Sequence, residues 1–208
     1  ISLGLVGSEM CIRDSKCSVK SILTDENGTV IAESNEKESV NWTIENSKPW
    51  SAEIPNLYTF TVILTDESGN EIEVSRTKVG FRRFELKNGI MCLNGKRIIF
   101  KGINRHEFDA KTGRAITKED MLFDIRFMKK NNINAVRTCH YPNNSLWYQL
   151  CDAYGIYLID ETNLETHGTW QKLGATDPSW NVPGSLPEWK EAVLDLSLIH
   201  ISEPTRPR

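Results

Sequence analysis

The stretch from Arg97 to Asp160 constrains the fold of this chain most. An apolar-centred run from Arg97 to Lys101 ends at Gly102. Thr117 with Asp120 resembles a variant capping box, and Met121, Leu122, Ile125 and Met128 follow at helical spacing until Asn131-Asn132. Ile133 to Thr138 reads as the next strand, Ser145 to Tyr154 as a second helix stopped by Gly155, and Ile156 to Asp160 as a third strand. Strand, helix, strand, helix, strand is the grammar of a parallel sheet with right-handed crossovers. A doubly wound sheet and a (β/α)8 barrel both satisfy it. No glycine-rich phosphate turn follows the first strand, which counts against a dinucleotide-binding version.

Upstream, the text is strand and turn. Val19 to Leu23, Thr29 to Ala32, Tyr58 to Thr65 and Glu71 to Val79 are β-rich runs separated by the turn signals Glu26-Asn27-Gly28 and Glu67-Ser68-Gly69-Asn70. Short strands at this spacing predict a β-sandwich over residues 16–81, with too few strands for two full sheets. Trp42 and Trp50 could stack on sugar, but a packing or domain-interface role is expected for them. Asn88-Gly89 and Asn94-Gly95 are hairpin-type turns that open the next segment, residues 82–196.

Both ends read as foreign to the fold. In one allowed codon choice, Leu5 to Asp14 is encoded by a strand whose reverse complement, shifted by one base, reads Ser197 to Arg206. Such a pair resembles a sequencing adaptor translated on both sides of a DNA fragment, so residues 1–15 and 197–208 are set aside. The apolar start is then no sign of secretion. The net charge of -3 survives the trim, and nothing in it points to nucleic acid. No apolar run approaches the ~20 residues of a membrane span. Cys17, Cys92, Cys139 and Cys151 form no C-x-x-C pair, and reduced thiols in a cytoplasmic protein are the simplest reading.

Polar residues crowd behind each strand of the α/β segment: Asn104-Arg105-His106-Glu107, then Arg137 to His140, then Asp160 to His167. In a parallel α/β domain these strand ends converge on one face, where barrel enzymes build their active sites. Three of the chain's four histidines fall in these clusters. Glu165 and His167 stand two apart in an extended segment, so both side chains can approach one cation. A solvated loop remains the alternative, because two ligands alone do not make a site.

Asn104-Arg105-His106-Glu107, Arg137-Thr138-Cys139-His140-Tyr141-Pro142 and Asp160-Glu161-Thr162-Asn163-Leu164-Glu165-Thr166-His167-Gly168 resemble successive motifs of the β-galactosidases in family 2 of the glycoside hydrolases. The resemblance begins at Trp50 to Tyr58, continues through Val79-Gly80-Phe81-Arg82 and runs to at least Gly168. It implies a partial immunoglobulin-like sandwich followed by the first three βα units of a (β/α)8 barrel. It also implies retaining hydrolysis of terminal β-D-galactosides, in which one glutamic acid protonates the leaving oxygen and a second attacks the anomeric carbon.

By that resemblance, His106 and His140 hydrogen-bond galactosyl hydroxyls and Arg137 orients the nucleophilic carboxylate. Glu165 and His167 match two ligands of an active-site Mg2+, a site that also tolerates Mn2+, whose third protein ligand in the family is the acid/base glutamate. Neither catalytic glutamate is expected within these residues. Glu107 and Glu161 take structural roles, and the isolated chain is expected to be inactive and to aggregate or remain molten. Cys139 stands where serine is frequent and Thr162 where alanine is frequent. A homo-oligomeric parent is implied as well. The alternatives are a sister activity such as β-glucuronidase, disfavoured by Glu165-Thr166-His167-Gly168, and a non-catalytic sugar-binding or structural module.

Overall fold

A computed structural model describes residues 2–4, 17–36, 39–165 and 187–201. Its first unit is antiparallel. Strands β1 (Ser2–Gly4), β2 (Ser18–Thr24), β3 (Val30–Ser34), β4 (Ser39–Asn41), β5 (Tyr58–Thr65) and β6 (Glu71–Val79) form a four-stranded sheet of order β3-β2-β5-β6 and a separate β1-β4 pair. The pairing of β1 draws on a segment set aside in the sequence reading. Alternation along β2 buries Val19, Ser21 and Leu23 on one face. Leu23, Tyr58 and Phe60 form the core there, packed by Trp42, Val79 and Phe81. The predicted turns are closed by carboxylates: Asp25 accepts from the backbone N–H groups of Asn27 and Thr29, and Asp66 from those of Ser68 and Asn70.

Strands β7 (Phe84–Lys87), β8 (Ile90–Leu93) and β9 (Lys96–Arg97) make a small meander. Asn88-Gly89 and Asn94-Gly95 both turn with positive φ at each residue, as two-residue hairpins require. This meander corrects the reading of Arg97 to Lys101 as the first parallel strand. Lys96 and Arg97 pair with Leu93 and Cys92, and the Ile98 N–H donates to the Met91 carbonyl. The apolar run is thereby drawn into the hairpin, and the parallel sheet begins later, at Gly102.

That sheet consists of β10 (Gly102–Arg105), β11 (Ala135–Thr138) and β12 (Tyr157–Ile159), all parallel and in sequence order. Helix α1 (Lys118–Lys130) and helix α2 (Ser145–Tyr154) supply the crossovers. The expected capping box is present: the Asp120 N–H donates to Thr117 Oγ1, and Asp120 Oδ2 accepts from the Thr117 N–H at 2.8 Å. Gly155 ends α2 in the left-handed region, with φ +72°. Met121, Ile125, Met128, Val136, Trp147, Leu150, Cys151 and Ile156 form the second core, between the helices and the sheet. A last helix, α3, spans Lys190–Ile201 and crosses the boundary at residue 196.

Trp50 ties the two units together, as an interface residue rather than a sugar platform. It is 1% exposed; its indole N–H donates to the Asp152 carbonyl at 2.8 Å, and its ring meets Tyr157 edge-on. The Tyr157 hydroxyl accepts from the Ala52 N–H, and the Lys129 ammonium donates to the Ala52 carbonyl. Cys17, Cys92, Cys139 and Cys151 are free thiols. No helix among the described residues is long and apolar enough to cross a membrane.

Candidate active site

Strand register sorts the residues at the sheet's C-terminal end. Asn104 is paired with Arg137 and Arg105 with Thr138; Arg137 in turn stands beside Ile159. Because side chains alternate across a pleated strand, Asn104 and Arg137 share one face while Arg105 and Thr138 share the other. The second face is the helix side, since Val136 belongs to the core beneath α1 and α2. Asn104 and Arg137 therefore face away from the helices, toward the axis of a barrel.

On that inner face Arg137 Nη2 binds Glu161 Oε2 at 2.8 Å, and Nη1 reaches Asn104 Oδ1 at 3.4 Å. His140 follows β11 on a short loop, and its Nδ1 stands 3.1 and 3.2 Å from the two Glu161 oxygens. Arg137 Nη2 also lies 3.3 Å from Nδ1. Both of those nitrogens cannot donate to each other, and the carboxylate accepts from either. In the tautomer that carries its proton on Nδ1, His140 donates to Glu161 and presents Nε2 as an acceptor. The His106 ring meets the His140 ring edge-on at 5.3 Å, so the two predicted sugar ligands are brought together. Glu161, which the sequence reading kept structural, is the anion that assembles Arg137 and His140.

The helix-side face holds the supports. Arg105 is 7% exposed: Nε binds Asp124 of α1 at 2.8 Å, Nη1 binds Asn143 Oδ1 at 2.9 Å, and the guanidinium lies over the Trp147 ring at 3.7 Å. Thr138 is fully buried; its hydroxyl donates to Asp160 Oδ1 and accepts from the Glu161 N–H. Glu107 Oε1 accepts from the Asn144 N–H, which joins the loop after β10 to the loop after β11. Of these supports, Glu107 is the one to which the resemblance assigns a structural role. Asp160, Glu161 and Arg105 stand in the polar clusters of the sequence, whereas Asn143 carries no signal there.

The loop from Phe108 to Ile116 is organised by Asp109, whose carboxylate accepts from the N–H groups of Lys111 and Thr112, bonds that hold it below the usual carboxylate range. The loop brings Arg114 over the Tyr141 ring at 4.1 Å, and an open cavity of about 380 Å3 lies between His106, Phe108, Arg114 and Tyr141.

Of the two residues expected to bind metal, Glu165 is exposed and His167 lies outside the described residues. A carboxylate is the hard donor that Mg2+ prefers, so Glu165 fits that ion as far as one ligand can. Among the described residues, His106, Cys139 and His140 bring potential ligand atoms within 4.8 Å of one another. That softer set suits Zn2+ rather than Mg2+, and the Arg137 guanidinium, 3.4 Å from Cys139 Sγ, places a fixed positive charge against any cation there.

Residues 12–82 match the family described as glycosyl hydrolases family 2, and residues 84–203 match glycosyl hydrolases family 2, TIM barrel domain. The β-galactosidase of Clostridium acetobutylicum is 59% identical over 189 residues, 88% of this chain and 21% of that protein. The β-galactosidase of Streptococcus thermophilus is 58% identical over 182 residues, 85% of this chain and 18% of that one. The chain thus spans about a fifth of the length of the curated relatives it matches. Among solved structures, a β-D-glucuronidase of Dictyoglomus thermophilum matches with a TM-score of 0.66 at 28% identity, over 71% of this chain and 25% of its own. A Bifidobacterium dentium β-glucuronidase complexed with coumarin-3-O-glucuronide gives 0.67 at 31%, over 70% and 24%. With both of its units matched in order and most of its length covered, this chain belongs to family 2 of the glycosyl hydrolases.

Proposed function

We propose that this chain is a segment of a retaining β-galactosidase that removes terminal β-D-galactose from lactose-like glycosides. The observation that carries the reading is the identity of 59% with a β-galactosidase across 88% of the chain. At the site, His140 hydrogen-bonds a galactosyl hydroxyl through Nε2 while His106 contacts the same sugar from beside it. Arg137 orients the attacking carboxylate, a planar guanidinium being suited to paired bonds with a carboxylate. The acid/base and nucleophilic glutamates belong to the remainder of the full-length enzyme and act by double displacement through a covalent galactosyl intermediate.

Glu165 and His167 would hold Mg2+, or Mn2+ through the same donors, and the bound ion would supply positive charge that tunes the neighbouring acid. The full-length enzyme is a homo-oligomer of the cytoplasm in this reading. A second reading, β-glucuronidase, is favoured by the solved structures, yet at 28–31% identity against 59% for the galactosidases. The test is a paired assay of the full-length enzyme on p-nitrophenyl β-D-galactoside and β-D-glucuronide. A higher kcat/KM on the galactoside is expected, and preference for the glucuronide overturns the reading.

A further inference from the structure

We propose that Tyr148 and Asp160 are positioning residues for the sugar-binding loop, acting on substrate through His140 although neither touches it. The inference rests on the proposed glycosidase reading only for its assay. Its basis is the set of hydrogen bonds that converge on the loop between β11 and α2.

His140 rides on residues 139–144, a segment with no ladder partner for most of its length. Something must hold it, because a histidine that binds a hydroxyl directionally loses its value when its backbone drifts. Two attachments do so. On one side Glu161 grips the His140 ring itself. On the other, Asn143 is gripped from two directions. Its Oδ1 accepts from Arg105, and its backbone N–H donates to the Tyr148 hydroxyl at 3.0 Å. Asn143 Nδ2 in turn donates to the Tyr141 carbonyl.

The Tyr148 hydroxyl is the joint between these attachments. It accepts from Asn143 and donates to Asp160 Oδ1 at 2.7 Å, and the same oxygen accepts from the Thr138 hydroxyl at 3.0 Å. Thr138 then accepts from the Glu161 N–H at 2.9 Å. A continuous path thus runs Asn143, Tyr148, Asp160, Thr138, Glu161, His140, and it leaves the His140 loop and returns to it. Pleat alternation puts Thr138 on the helix side, and Asp160 bonds to it and to a residue of α2, so Asp160 is turned from the face that holds Arg137 and His140. Burial and the bond to Asp160 both raise the Tyr148 phenol above its ordinary value, which favours its protonated, donating form.

The test is a double-mutant cycle in the full-length enzyme, run on whichever of the two p-nitrophenyl glycosides the wild type cleaves. Tyr148→Phe and Asp160→Ala are each expected to lower kcat/KM by roughly tenfold to a hundredfold, the scale of a small displacement of a positioned group. Asp160→Asn retains the oxygen acceptor and is expected to stay within about threefold of wild type. In a His140→Ala background Tyr148→Phe is expected to have little further effect, because the positioned side chain is gone. Thermal melts accompany each variant. Full additivity of Tyr148→Phe with His140→Ala, or an Asp160→Asn loss as large as that of Asp160→Ala, overturns the inference. A wild type that cleaves the glycosides normally while the cycle is additive sinks the positioning role alone. A wild type that cleaves neither sinks the glycosidase reading, and with it the substrate through which these residues would act.

Discussion

Gly155 is the position where a single methyl group should do most damage. Its φ of +72° lies in the left-handed region, and a Cβ there would stand 2.3 Å from the Ala52 carbonyl oxygen and 2.9 Å from its carbon. Non-bonded carbon and oxygen settle at about 3.3 Å, so the two backbones must part by roughly 1 Å. The left-handed conformation alone costs an alanine about 1–2 kcal/mol. Forced separation in a packed interface adds about 1–3 kcal/mol. The Ala52 carbonyl also accepts from the Lys129 ammonium at 2.9 Å, a bond that the shift strains. Gly155→Ala should therefore cost about 2–5 kcal/mol, a large share of the 5–15 kcal/mol typical of a folded domain. Gly28 is the control, with φ +83° and nothing within 4 Å of an added Cβ, so Gly28→Ala should cost only the backbone term of about 1–2 kcal/mol. Hydrogen exchange by mass spectrometry on the full-length enzyme reads the difference. Amides of residues 50–58 and 145–159 should exchange at least roughly 30-fold faster in Gly155→Ala, about 2 kcal/mol of local stability, and be unchanged in Gly28→Ala. Equal effects of the two substitutions would refute the steric argument.

Thr117→Ala removes the side-chain half of the capping box, the acceptor of the Asp120 N–H, and should cost about 1 kcal/mol, read as a lower urea midpoint, with Thr117→Ser restoring most of it. Burial raises the Asp152 carboxyl, against a smaller lowering by Arg82, so its ionised form is disfavoured in the fold. Any stability from Asp152 is then complete below its unfolded value and lost as pH rises through the folded one; Asp152→Asn should stabilise at pH 7, and a gain that persists unchanged at pH 3 would count against this. Burial likewise pushes the Cys151 thiol up to about 12, so it should resist iodoacetamide at pH 8 while Cys17 is alkylated, and the stability it contributes should fade as pH climbs from its unfolded value toward about 12. His140→Ala should lower kcat/KM of the full-length enzyme on galactosides by roughly 10²-fold or more, the loss seen when a preorganised polar contact is removed; an unchanged value would remove His140 from the sugar site.

The helices were readable because their signals are local. A capping box and the 3.6-residue spacing of Met121, Ile125 and Met128 define α1, and a left-handed glycine closes α2 where the spacing stops. The first parallel strand was misplaced for an equally physical reason. Ile98, Ile99 and Phe100 make the more apolar run, yet the hairpin claims its start, and β10 itself reads Gly-Ile-Asn-Arg because its polar ends serve the site. His106, Arg137 and His140 were legible as polar residues following strands, and the structure brings them together. Tyr148 was not legible. In sequence it is one aromatic within a helix, and only the fold shows that its hydroxyl reaches Asn143 on one side and Asp160 on the other. The partners of Arg137 and His140 were hidden for the same reason, since the carboxylate that joins them arrives from a different strand.

The arrangement also explains why chemistry and support can share three consecutive strand ends without interfering. One residue along a strand reverses the face, so Arg137 can serve the inner side while Thr138, its neighbour, is buried against the helix layer. The same step separates exposed Asn104 from Arg105, which is wedged between Trp147 and Asp124. Arg105 is thus bonded to Asp124 of α1 and to Asn143 before α2, while Thr138 is bonded to Asp160, which is itself held by Tyr148 of α2. A substitution on the outer face is felt at the site through a single peptide unit. The packing of the two units extends the chain of support. Trp50 and Ala52 fix Tyr157 at the start of β12, three residues before Asp160, so the antiparallel unit helps set where the third cluster stands. Loosening that contact should therefore move Asp160 and Glu161 first, and the two histidines only through them.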